Sequence, residues 1–97
     1  MAIHVQVVSN LGEVRGRIGG TEINRLCERA RQAGMPMLGC VDEYDDTHFN
    51  LSEMRLLIPE LEELAGSSSP AEATMAAQLL ELTKTVSIHD QMIFVGD

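Results

Sequence analysis

The sequence predicts a small α+β domain: a mostly antiparallel sheet with helices packed on one face. Three observations lead there. β-Branched residues alternate with polar ones at the N-terminus; two long segments farther on repeat apolar residues at helical spacing; and the end of the chain returns to an aliphatic strand pattern. At 97 residues, the chain suits one domain spanning 1–97. Only Tyr44, Phe49 and Phe94 are aromatic, so the core is expected to be aliphatic.

The elements follow in order. In "AIHVQVVS", Ile3, Val5 and Val7 fall on one side and His4, Gln6 and Val8 on the other, the period of a strand. "SNLG" is turn chemistry, and "EVRGRI" then alternates Val14, Gly16 and Ile18 against Arg15 and Arg17. The pair reads as an antiparallel hairpin, with Gly16 marking a bulge or a close neighbour. Thr21 is placed to cap a helix in which Ile23, Leu26, Cys27 and Ala30 face the core and Arg25, Arg29 and Arg31 face water. Gly34 ends it, with Pro36 beyond. "MPMLGCV", residues 35–41, is assigned as a third, buried strand.

Asn50 and Glu53 have the spacing of a capping box, with Phe49 and Met54 at the staple positions around it. Leu51, Met54, Leu57, Ile58, Leu61 and Leu64 continue as a helical stripe, which Pro59 is expected to kink or divide. "SPAE" offers a second capping box, with Ser69 as cap, Pro70 in the first turn and Glu72 reaching back. The helix that follows, to about Val86, has so broad an apolar face that packing on two sides is expected. "SIHD" turns and "QMIFV" closes the chain as a strand joining the first hairpin. The predicted order is β-β-α-β-α-α-β.

Charge bounds the function. The net charge is −8, split as +2 over residues 1–41 (five Arg against three acids) and −10 over 42–97 (two basic residues against twelve acids). Acidity of this kind repels phosphate backbones, so no nucleic-acid partner is expected. No apolar run approaches the length of a membrane span, so no membrane partner is expected either. Cys27 and Cys40 form no C-x-x-C, and no signal peptide precedes them; free, buried thiols in a reducing cytoplasm are the expectation.

The stretch "VDEYDDTHFN", residues 41–50, concentrates the candidate chemistry. Read as a calcium loop starting at Asp42, it places Asp46, Asn50 and Glu53 at ligand positions but fails at Tyr44 and at Thr47, where the loop needs glycine. Asp45, Asp46 and His48 can in principle orient one another for acid–base work, but no nucleophile elbow, phosphate-cradling loop or zinc helix accompanies them. No catalytic residue, metal ligand or cofactor is therefore assigned. Two readings remain. One is a solvated loop leading into a helix, with carboxylates favoured by the helix dipole. The other is a partner-binding surface made of Asp42, Glu43, Tyr44, Asp45 and Asp46, extended by Glu60, Glu62 and Glu63, in which an aromatic anchor is ringed by carboxylates.

The run Asp42, Tyr44, Asp46, Thr47, Phe49, Asn50, then Pro59, Glu60, Leu61, then Phe94, Gly96, Asp97 resembles a group of small acidic actinobacterial proteins. These share an Asp-x-Tyr-x-Asp-Thr-x-Phe-Asn run, a Pro-Glu-Leu helix and a Phe-x-Gly-Asp ending. The likeness covers roughly residues 40–97. That group in turn resembles immunity proteins, cytoplasmic inhibitors of polymorphic or contact-delivered toxins. The resemblance implies a non-enzymatic protein whose partner is a cognate toxin domain with a basic surface, the shared run serving either binding or folding. A regulatory or scaffolding homodimer is the alternative, and monomer or dimer is left open.

Overall fold

The computed structural model describes residues 2–96. Asp97, the last residue of the Phe-x-Gly-Asp ending, lies outside them. The elements are β1 (His4–Val8), β2 (Val14–Gly19), α1 (Thr21–Gln32), a short 3-10 helix (Leu38–Cys40), β3 (Thr47–Phe49), α2 (Leu51–Ser67), α3 (Pro70–Thr83) and β4 (Gln91–Val95). The strands form one antiparallel sheet in the order β2-β1-β4-β3, so the last strand lies beside the first. The α+β class and the order of elements are those predicted.

The period of two in β1 becomes a buried face of Ile3, Val5 and Val7, joined by Met92 and Phe94 from β4 and Phe49 from β3. Phe49 and Phe94 meet edge to face, 5.6 Å between centroids, a favoured aromatic geometry. The helices cover this face with Ile23 and Leu26 of α1, Met54, Leu57 and Leu61 of α2 and Leu79 of α3. Helix α3 packs against α1, α2 and β2, the two-sided burial its alanines imply.

Gly16 fills both of its expected roles. The β1–β2 register shifts between Val7 and Val8, opposite Gly16 and Val14, and a Cβ at 16 would lie 2.8 Å from Leu82 Cδ1 of α3. The extra residue of this bulge, Arg15, sets Val14 opposite Val8 on the face turned away from the helices, so Val14 is 54 % exposed, contrary to its assignment to the apolar face.

Several local signals act as expected. Asn50 Oδ1 accepts the Glu53 N–H and Glu53 Oε1 accepts the Asn50 N–H, both at 2.9 Å, closing the capping box. Gly34, at φ 73°, ends α1 with bonds from Met35 N–H to the Ala30 carbonyl (2.8 Å) and from Gly34 N–H to the Arg31 carbonyl (3.2 Å), a Schellman turn.

Other expectations are corrected. Thr21 is the first residue of α1; the cap position is Gly20, whose φ of 153° suits glycine alone. Helix α2 is not divided at Pro59 but runs through it as one helix, because its stripe of Met54, Leu57, Leu61 and Leu64 is buried on both sides of the proline. Ser69 caps α3, but the Glu72 carboxylate accepts the Ser69 hydroxyl (2.5 Å) and the Arg29 guanidinium rather than the cap's own N–H.

The largest correction concerns the third strand. Residues 35–41 are turn and 3-10 helix, and the strand is Thr47–Phe49. Pro36 has no N–H to give a ladder. The next two N–H groups, of Met37 and Leu38, are taken by the Glu60 carboxylate at 3.0 and 2.8 Å. With its donors satisfied by a side chain, this segment needs no neighbouring strand.

Candidate functional site

Residues 42–46 form a loop at the β3 corner of the sheet. Its entry is held from α1: Arg31 donates to the carbonyls of Val41 (Nη2, 2.9 Å) and Gly39 (Nε, 3.3 Å), and Val41 itself is buried. Its exit is β3. Within it, Asp42 Oδ1 accepts the Tyr44 N–H and Asp45 Oδ1 accepts the Asp46 N–H, both at 2.8 Å, turns that short acidic side chains favour. From below, the end of β4 presses into the loop. A Cβ at Gly96 would lie 2.5 Å from Asp45 N and 2.7 Å from the Asp42 carbonyl oxygen. Only a residue with no side chain lets the two backbones approach this closely.

The side chains point outward. Asp42, Asp45 and Asp46 are exposed and make no ion pair with the chain's own cations among the described residues. Tyr44 is 67 % exposed. Its hydroxyl bonds the Glu43 carboxylate; that bond, the charge of Glu43 and, less strongly, that of Asp42 hold the phenol above its usual range. Glu43 is partly buried and also receives Asn24 Nδ2 at 3.4 Å. Asn24 in turn accepts the Ile3 N–H at 2.9 Å, tying loop, helix and sheet together.

Beside the loop lies a hollow of about 400 Å³, bordered by Asn24, Glu28 and Arg31 of α1 and by Cys40, Asp42 and Tyr44. Arg31 is paired with Glu28 at 2.6 Å. Cys27 sits in its wall, and burial pushes that thiol up to about 12, where it stays protonated. Cys40, expected to be buried, is exposed, and its thiol donates to the Met37 carbonyl (3.0 Å).

The structure gathers Asp42 to Asp46 but separates them from the helical glutamates. Glu60 is 8 % exposed and turned inward onto Met37 and Leu38, so its carboxylate is spent on the fold rather than offered to a partner. Glu62 and Glu63 are exposed, but Glu63 borders a different hollow, with Arg29 and Gln32. His48 faces away from Asp45 and Asp46: its Nδ1–H donates to Gln91 Oε1 at 3.0 Å, so those three groups do not assemble. Asn50 and Glu53, the distant positions of the calcium reading, are committed to the capping box.

Gly96, Asn24 and Arg31, which shape the site, were not singled out from the sequence. Helical spacing carries a signal for two of them, since 24, 28 and 31 share one stripe of α1. No helix among the described residues is long and apolar enough to cross a membrane. Comparison with known proteins finds no family model, no curated protein and no solved structure that matches this chain.

Proposed function

We propose that the chain is a non-enzymatic, cytoplasmic immunity protein that neutralises a cognate toxin by laying its acidic loop over the toxin's basic cleft. One observation carries the reading: Asp42, Asp45 and Asp46 face solvent around an exposed Tyr44, unpaired with any cation of the chain's own among the described residues. Their loop is held from both sides by Arg31 and Gly96, so little ordering entropy remains to be lost on binding. Clustered carboxylates accelerate encounter with a cationic surface, and a tyrosine covered on docking slows release. Free thiols suit a reducing compartment.

The test takes as candidate toxin the C-terminal domain of any large secreted protein found encoded beside this gene. Reversing charge with D45K and D46K weakens the complex at least about tenfold and leaves the melting temperature nearly unchanged. Equal affinity in a folded double variant moves the interface off this loop.

A second reading, a homodimeric regulatory or scaffolding subunit, is favoured by one feature. Strand β2 is a six-residue edge with its outer side unpaired in the sheet. Sedimentation of the isolated chain separates the two: a stable dimer supports the second, a monomer the first.

A further inference from the structure

The four strands contain no Asp or Glu, although the chain has 15 such residues. The sheet face turned away from the helices carries His4, Gln6 and Val8 of β1, Val14 and Arg17 of β2, His48 of β3, and Gln91, Ile93 and Val95 of β4. The register sets Arg17, Gln6, Ile93 and His48 in one row across the sheet, with His4 beside Val95 in the next. The polar groups are fixed: Gln6 Nε2 donates to His4 Nε2 at 3.2 Å and His48 donates to Gln91 at 3.0 Å. Arg17 is exposed and makes no ion pair among the described residues. Val8, Ile93 and Val95 remain partly exposed between these groups. On a chain of net charge −8, this is an aliphatic strip rimmed by a guanidinium and imidazoles, with no strand carboxylate beside it.

We propose that this open face docks an acidic amphipathic helix of a partner protein, its apolar stripe on Val8, Ile93 and Val95 and its carboxylates on Arg17 and the flanking histidines. The dimensions agree. Four strands at ordinary spacing span about 14 Å, and one helix with side chains is about 10–12 Å wide, so its flanks reach the rim. Charge argues against a second copy set face to face, because Arg17 would meet no strand carboxylate there. Nucleic acid is disfavoured as well. An open antiparallel sheet binds bases through aromatic platforms, whereas Phe49 and Phe94 are buried on the opposite face and Tyr44 is in the acidic loop. The inference does not rest on the immunity reading, which uses a different surface.

The test titrates the isotope-labelled full chain with three probes: a synthetic helical peptide with a leucine stripe flanked by glutamates, the same peptide with lysine for each glutamate, and an oligouridine. The glutamate peptide is expected to shift His4, Gln6, Val8, Arg17, His48, Ile93 and Val95. The lysine peptide is expected to leave that face unchanged and to move residues 42–46 instead. R17E, with its spectral dispersion retained, is expected to weaken the glutamate peptide at least about tenfold. Equal binding of both peptides at the face, or shifts confined to the helices, overturns the proposal. Oligouridine shifting these residues assigns the face to nucleic acid. Concentration-dependent broadening of the same residues in the lone chain assigns it to a second copy.

Discussion

Gly96 lies directly beneath the backbone of Asp45, so that a methyl group at 96 would approach Asp45 N to 2.5 Å. The end of the last strand is thus the floor on which the acidic loop rests. The glycine of the Phe-x-Gly-Asp ending and the aspartates of the Asp-x-Tyr-x-Asp run are parts of one structure.

G96A is therefore expected to displace residues 42–46 and to destabilise the fold by about 1–3 kcal/mol, the usual cost of forcing atoms into a filled space. Denaturant melts measure the loss, and amide shifts concentrated at 42–46 identify its place. A variant with wild-type stability and an unmoved loop would show that the two backbones separate freely.

Glu60 tests the opposite case, an acidic residue that belongs to the fold. Its carboxylate accepts two backbone N–H groups in a nearly closed environment. E60A leaves both donors without a partner and is expected to cost about 2–3 kcal/mol. E62A, at an exposed neighbour, is expected to change stability by no more than about 0.5 kcal/mol. Equal effects at the two positions would contradict the inward placement of Glu60.

Acid is expected to unfold the protein through two carboxylates. The hydrogen bond from Arg29, then that from the Ser69 hydroxyl, holds Glu72 below its usual range. The Ser87 backbone N–H, with its hydroxyl and the charge of Arg15, holds Asp90 low against the penalty of burial. Both groups bind protons more weakly folded than unfolded, where such carboxylates titrate near about pH 4. Their contribution is thus present above about pH 4 and is lost as pH falls through the folded values. Melting temperatures measured between about pH 2 and pH 7 should fall on the acid side, and E72Q with D90N should flatten that limb. An unchanged acid slope in the double variant would assign the acid sensitivity elsewhere.

Pro59 sits exposed within α2 and withholds the N–H that the Arg55 carbonyl would accept. P59A restores that bond and is expected to raise stability by about 1–3 kcal/mol, less the entropy that proline removes from the unfolded chain. A lower melting temperature would mean that the helix is shaped around the ring.

The α+β class, the hairpin, the capping box of Asn50 and Glu53 and the stop at Gly34 were all legible in the sequence alone. Each depends on residues a few positions apart, and local chemistry decides it: alternation buries one face of a strand, and a side chain caps the N–H groups next to it. Tertiary structure alone decided the rest. Residues 35–41 read as a strand until Glu60, on a distant helix, takes their N–H groups. Thr47–Phe49 is too short to announce itself and becomes a strand only because β4 lies beside it. The strands, none of which carries a carboxylate, are joined into one face only when β4 returns to pair with β1 and β3. Satisfying a backbone donor and bringing two backbones together at a glycine are pairings across long stretches of chain, and no local pattern specifies which partner will arrive.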